Sequence, residues 1–256
     1  MYMFYGQFTQ ETRQAFQESL TLIKTIFGRV YAQDNLIALQ RTAGFQEDER
    51  FQQILQSVAR NQQERSLAWR LHTLIWAAQH CLRVEGDWVE CGVYRGFSFA
   101  VVSAYVNFAT VAKTLYLYDT YGGIPEAYNS ENRSNQVYER ETAEDPDAIY
   151  KDVQQRFQAY PNVKLVRGIV PNTFTEACPE SIAFLHIDMN SAASELAVLN
   201  ALFERVSPGG MIVFDDYGWS GYIQQKIAED KFMTQRGYTI LELPTGQGLV
   251  VKQLHY

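Results

Sequence analysis

The chain has 256 residues, 46% of them hydrophobic, and a formal net charge of −7. That length suits one α/β domain with an extension and is enough to bury a core, and the composition excludes a disordered chain. No basic block and no apolar run of ~18 residues is present, so neither a nucleic acid nor a membrane is expected as a partner.

Residues 1–84 are rich in Gln, Glu, Arg, Leu and Ala and contain no proline. They read as a helical extension, a cap or a dimerisation surface, broken by a loop over 42–49. From 85 onward, apolar runs and helical patterns alternate. Strands are predicted at 88–91, 115–119, 163–166, 182–188 and 211–215, with helices at 98–111, 147–158, 191–206 and 221–236. Five βα units imply a parallel sheet with helices on both faces. Runs at 239–243 and 249–252, separated by Pro244-Thr-Gly-Gln-Gly248, predict a closing antiparallel hairpin. The polar stretch 121–146 is long for a connection and reads as a lid. Cys81, Cys91 and Cys178 are odd in number and form no CxxC pair. They predict neither a disulfide framework nor a zinc site, and with no targeting segment they point to the cytoplasm.

Three constellations carry chemistry. Glu90 closes the first of these strands, and Gly92 and Gly96 follow before a long apolar helix. Such a turn lets a ligand approach bare backbone, although the full G-x-G-x-x-G fingerprint is absent. Asp119 ends the next strand, where a carboxylate can accept both hydroxyls of a ribose. Together these favour a nucleoside ligand such as S-adenosylmethionine. A nicotinamide cofactor is the rival, and the missing fingerprint speaks against it. Finally, Asp188 ends one strand and Asp215-Asp216 end another. If those strands are neighbours, three carboxylates meet at one rim and suit a hard divalent cation such as Mg²⁺. Helix capping by Asp215 and Asp216 is the simpler alternative. His186, two residues before Asp188, is a core residue or a catalyst.

In order along the chain stand Trp88-Val-Glu90-Cys-Gly92-Val-Tyr-Arg-Gly96, Asp119-Thr-Tyr-Gly-Gly-Ile-Pro125, His186-Ile-Asp188, Ser207-Pro-Gly-Gly210, Asp215-Asp-Tyr-Gly218 and Leu243-Pro-Thr-Gly-Gln-Gly248. As a set, over residues 85–253, they resemble the macrocin-type O-methyltransferases. The resemblance implies a Rossmann-like class I methyltransferase fold: a mostly parallel seven-stranded sheet with a terminal antiparallel hairpin. It further implies S-adenosylmethionine as methyl donor, a divalent metal on Asp188, Asp215 and Asp216, and a small hydroxylated acceptor. Carried over, Glu90, Gly92, Gly96 and Ser98 hold the donor's amino acid end, Asp119 its ribose, and Gly168 lies near the adenine. Cys91, Tyr94, Thr120 and Asp188 join them as cofactor-binding positions. Asp188, His186 and Asn190 stand as the catalytic candidates.

The chain departs from the family after Asp188, where Asn190 replaces a usual acid and Ser191 a usual histidine. An amide takes no proton at neutral pH. Three accounts stay open: metal activation without a dedicated base, another base such as His186 or Tyr217, or a cofactor-binding protein that transfers no methyl group. A homodimer is compatible with the aromatic-rich extension.

Overall fold

A computed structural model describes residues 4–6, 8–128 and 145–253. Its contacts divide the chain into two units, Met1–His72 and Thr73–Tyr256. The division falls inside helix α4 (Ala68–Cys81). The end of α4 belongs to the second unit, where the His80 ring bonds the Gly209 carbonyl at 2.9 Å.

The first unit is not helical throughout. Helix α1 (Gln10–Phe27) starts at a capping box between Thr9 and Thr12, which satisfies otherwise orphaned N–H groups. A hairpin of β1 (Val30–Gln33) and β2 (Leu36–Leu39) follows, against the sequence expectation. Its turn residues, Asp34 and Asn35, both have positive φ, as a tight two-residue hairpin turn requires. Asp34 also pairs with Arg70 at 2.8 Å, both nearly buried. The expected loop at 42–49 leads into α2 (Glu49–Val58), capped by Asp48, and then α3 (Gln62–Ser66), capped by Asn61. Tyr31, Phe45, Phe51 and Trp69 pack edge to face or tilted around this hairpin.

The second unit is the sheet domain. Its strands are β3 (Asp87–Cys91), β4 (Leu115–Asp119), β5 (Val163–Arg167), β6 (Ile182–Ile187), β7 (Val206–Phe214), β8 (Leu241–Glu242) and β9 (Gly248–Val251). The seven-stranded order is β5-β4-β3-β6-β7-β9-β8, parallel except for the closing hairpin β8–β9. This is the Rossmann-like architecture expected from the sequence. Its helices are α5 (Phe97–Val106), α6 (Pro146–Phe157), α7 (Ala192–Leu202) and α8 (Ile223–Thr234). Helix α5 stops earlier than its apolar run because Asn107 turns left-handed at φ 54°.

Alternation along the strands sorts side chains by face. Val89, Cys91, Leu185, Ile187, Ile212 and Phe214 form one core with Val198, Leu199 and Leu202 of α7. On the other face the rings of Trp88, Phe99, Phe108 and Phe184 interlock. Each such fully buried ring contributes about 1.5–3 kcal/mol of apolar burial. The second face also carries Glu90 and His186, so two ionisable groups enter an otherwise apolar layer.

Candidate active site

The five parallel strands deliver their carboxyl ends to one rim. Gly168 follows β5, Asp119 closes β4, Glu90 and Gly92 lie at the end of β3, Asp188 follows β6, and Asp215-Asp216 follow β7. Main-chain bonds stitch the row together: Gly168 N to Asp119 O at 2.9 Å, Gly92 N to Tyr118 O at 3.0 Å, Asp188 N to Cys91 O at 2.8 Å, and Asp215 N to Ile187 O at 3.0 Å. At ~4.8 Å between strands, the row from β5 to β7 spans about 19 Å. Segments spread over more than a hundred residues thus become neighbours.

The glycine turn is built by backbone. Gly92 has φ +90°, and a Cβ there would lie 1.8 Å from the Asp188 carbonyl oxygen. Its first role is therefore to let β3 and β6 close on each other, not only to admit a ligand. Gly96, at φ +68°, starts α5, and a Cβ on it would press on Phe157. Asp119 clamps the turn. One carboxylate oxygen accepts from Val93 N and Tyr94 N, both at 2.7 Å, and the other accepts from Tyr121 N at 2.6 Å. Three of its roughly four acceptor positions are used within the chain. One remains for a ligand, fewer than the two ribose hydroxyls expected from the sequence. Tyr94 is 36% exposed at the rim, and Ser98 is half-buried in the first turn of α5. Cys91 offers only main chain, because its thiol is buried in the core, and burial pushes it up. The Thr120 hydroxyl donates to Gly123 O at 2.7 Å and accepts from Gly122 N, shaping the loop after β4.

Beneath the turn, buried side chains run across three strands. Glu90 Oε1 lies 3.1 Å from His186 Nδ1, and His186 Nε2 lies 3.6 Å from Asp215 Oδ1. The second distance is that of an ion pair rather than a hydrogen bond. Burial pushes the Glu90 carboxyl up to about 7, against the opposing pull of His186. Burial works against charge on His186, but Asp215 and Glu90 outweigh it and hold the ring up, at about 10. Glu90 Oε2 is buried without a hydrogen-bond partner. His186 itself is fully buried, with the ring of Phe99 at 5.7 Å.

The acidic end differs from expectation in one respect. Asp188, Asp215 and Asp216 share the rim, but among the described residues no group of three or more His, Cys, Asp or Glu side chains is gathered closely enough to hold a metal ion. A physical reason is visible at Asp215, whose Oδ1 is turned toward His186 and accepts from Gln247 Nε2 at 2.9 Å. Asn190 adopts the left-handed conformation, φ 55°, a region Asn tolerates well. Ser191 is the N-cap of α7, and its hydroxyl also donates to Tyr128 O at 2.7 Å. Asn190 and Ser191, where the resemblance leads one to expect an acid and a histidine, are thus absorbed into a turn and a cap. The Tyr128 contact ties the first part of the 121–146 segment to this end of the rim, while 129–144 lies outside the described residues.

Sequence reasoning missed a second buried polar group. Glu195 of α7 and Glu229 of α8 are 2% and 1% exposed. Glu195 Oε1 accepts from Gln225 Nε2 at 2.5 Å and from Met189 N at 3.4 Å, bracing the turn after Asp188. Burial raises both carboxyls, Glu229 to about 7, so charge on both at once is disfavoured.

Among the described residues no helix is long and apolar enough to cross a membrane, and all three cysteines are free. The family model described as macrocin-O-methyltransferase (TylF) matches residues 4–240. The chain is 28% identical over 161 residues to mycinamicin III 3''-O-methyltransferase of Micromonospora griseorubida, covering 58% of this chain and 62% of that one. It is 26% identical over 142 residues to demethyldecarbamoylnovobiocin O-methyltransferase of Streptomyces niveus, covering 52% and 53%. The matches thus span little more than half the length of these relatives. The solved O-methyltransferase NovP superposes with a TM-score of 0.63 at 20% identity over 74% of this chain and 82% of that one. The calicheamicin methyltransferase CalS11 does so with 0.56 at 17% identity over 96% and 95%. At such identities the superpositions establish the fold, and the family match over most of the chain establishes the rest: the protein belongs to the macrocin O-methyltransferase family.

Proposed function

We propose that the protein is an S-adenosylmethionine-dependent O-methyltransferase whose acceptor is a hydroxyl of a sugar, macrolide or phenolic natural product. The order of groups along the rim carries the proposal. Gly168, Asp119 and Glu90–Gly92 follow one another across β5, β4 and β3, and the acids come next on β6 and β7. Adenine, ribose and amino acid arm follow one another in the donor in the same sequence, which leaves the sulfonium methyl facing the acids. Gly168 lies by the adenine. Asp119 and Thr120 serve the ribose, with Asp119 using its remaining acceptor position. The turn of Cys91, Gly92, Tyr94, Gly96 and Ser98 receives the amino acid arm largely through main chain, and Asp188 borders donor and acceptor. The orphaned Glu90 Oε2 is the kind of buried acceptor that an ammonium group, directly or through water, satisfies.

The donor set fits a hard divalent cation such as Mg²⁺ in chemistry and chain placement: Asp188, Asp215 and Asp216 supply oxygen on adjacent parallel strands. Holding it requires the three carboxylates to turn toward one another. Such a cation, when bound, lowers the pKa of a hydroxyl it coordinates. The chain's own groups supply orientation and exclusion of water, which account for much of the acceleration of a displacement reaction. Asn190 is an amide, Ser191 is a cap and His186 is buried, so none is a base in contact with the acceptor. Tyr217 is also committed, its hydroxyl donating to Asp230 at 2.6 Å. That pattern favours an acceptor hydroxyl that gives up its proton readily, as a phenol does.

Calorimetry with S-adenosylhomocysteine is the first test, and absence of binding sinks the reading. Asp215→Asn is expected to weaken Mg²⁺ binding by roughly tenfold or more and to leave binding of the donor product intact; equal Mg²⁺ affinity removes Asp215 from the ligand set. The structural use of Asn190 and Ser191 favours a second reading, a cofactor-binding protein without turnover. Methyl transfer to any phenol or sugar that stops with chelator and returns with Mg²⁺ excludes it.

A further inference from the structure

The turn between β8 and β9 is packed against the loop that carries Asp215. Gly218 N donates to Gly246 O at 2.7 Å. A Cβ on Gly246 would sit 2.3 Å from the Trp219 indole nitrogen, and one on Gly248 would sit 2.8 Å from the Tyr217 ring. Glycine at these positions allows two turns from opposite sides of β9 to touch. Into this contact points Gln247, fully buried. Its Nε2 donates to Asp215 Oδ1 at 2.9 Å, and its Oε1 accepts from Thr245 Oγ1 at 3.0 Å. The Asp215 carboxylate fixes which way the amide faces, since an oxygen acceptor demands the NH₂ end, and the Thr245 hydroxyl donates to the oxygen end that remains. Asp215 Oδ1 thus receives Gln247 from the hairpin side and faces His186 from the β6 side.

We infer that Gln247 is a positioning residue for Asp215: the closing hairpin holds this carboxylate through its Oδ1, setting how it presents itself to a cation and acceptor at the rim. The catalytic consequence rests on the methyltransferase reading above; the bracing itself does not. A buried hydrogen bond to a charged acceptor is among the stronger ones in a protein, and outer partners of this kind commonly set metal affinity. Thr245 acts one bond further out, and its loss is felt less.

The test uses the full chain and three variants: Gln247→Leu, Gln247→Glu and Thr245→Val. Hydrogen exchange of the amides of residues 215–219, measured without ligand, reads the brace. Faster exchange in Gln247→Leu, with a smaller change in Thr245→Val, is expected; wild-type exchange in Gln247→Leu overturns the inference. Titration with Mg²⁺ in the presence of S-adenosylhomocysteine reads the consequence. Gln247→Leu is expected to weaken Mg²⁺ binding about 10–100-fold while affinity for S-adenosylhomocysteine itself stays at the wild-type value. Gln247→Glu, which sets a second carboxyl against Asp215, weakens it without restoring protection. Equal loss of both affinities would mark general damage to the rim and overturn a positioning role. If wild-type protein binds neither probe, the functional reading fails while the exchange data still decide the brace.

Discussion

On the half of the rim proposed to receive the donor, Gly92, Val93, Tyr94 and Asp119 meet mainly through main chain: a carbonyl at touching distance from a glycine, and a carboxylate holding three backbone N–H groups. On the half proposed to receive the acceptor, Asp188 and Asp215 sit on turns braced by buried side chains, Glu195 with Gln225 on one side and Gln247 with His186 on the other. The two halves face different chemical demands. On the methyltransferase proposal, a donor shared by many enzymes is met by backbone, which only a substitution that displaces the main chain alters. An acceptor that differs between relatives calls for side chains, whose replacement changes the surface without dismantling the sheet. The first half should therefore fail abruptly when altered and the second by degrees.

The sharpest way to break that comparison is Gly92→Ala. The added methyl meets the Asp188 carbonyl at 1.8 Å, at a backbone conformation, φ +90°, that alanine avoids. We expect a loss of at least about 3 kcal/mol, a fall in melting temperature of roughly 6–12 °C, and no measurable binding of S-adenosylhomocysteine. Near-wild-type melting would show that β3 and β6 are not so tightly apposed. Asp119→Asn comes next. It replaces two acceptor oxygens by one and turns an NH₂ toward backbone N–H groups. Leaving one such donor unpaired costs about 1–3 kcal/mol, and S-adenosylhomocysteine affinity should drop about 10–100-fold. Unchanged affinity would mean that Asp119 serves only the turn.

These two residues were legible in the sequence because strand ends followed by glycine or acid leave a local signature. The sheet was legible for the same reason, through alternating apolar runs. The bracing was not. Gln247 stood in a motif whose place was readable and whose role was not, since its bond to Asp215 joins positions 32 residues apart. Glu90 and His186 are 96 apart, and the sequence offers the first as a ligand-binding acid and the second as a core residue or a catalyst without pairing them. Glu195 and Glu229 lie at the same helical spacing as the buried Val198, Leu199 and Leu202 and as Phe232 and Met233, so the period was a signal available, but only the packing of α7 on α8 reveals that two acids are enclosed together. The β1–β2 hairpin was missed because a Gln- and Ala-rich extension reads as helix. Asp34-Asn35, two residues that accept positive φ, was the signal available.

The gentlest test lies in the acceptor half, in the Glu195–Glu229 pair. Both carboxyls are raised on folding, Glu229 from 4.5 to about 7, chiefly by burial; Asp216 and Asp230 push the same way, while Glu195 and Lys226 pull against it. A group whose pKa rises on folding contributes its stability fully below the unfolded value and loses it as pH climbs through the folded one. Between about pH 4.5 and 7 the folded chain therefore holds a proton that the unfolded chain has released, and stability falls across that window. Glu229→Gln keeps the shape and an amide that can bond Glu195 but removes one titration. Wild-type melting temperature should decline by a few degrees more than that of the variant between pH 5.5 and pH 8. Titrating groups away from the pair contribute equally to both proteins and cancel in the difference, while Glu195, raised in part by Glu229, loses some of its own shift in the variant and adds to that difference. Parallel curves would mean that the pair is not strained by charge, and α7 and α8 would then need another reason to enclose two acids beside the turn that follows Asp188.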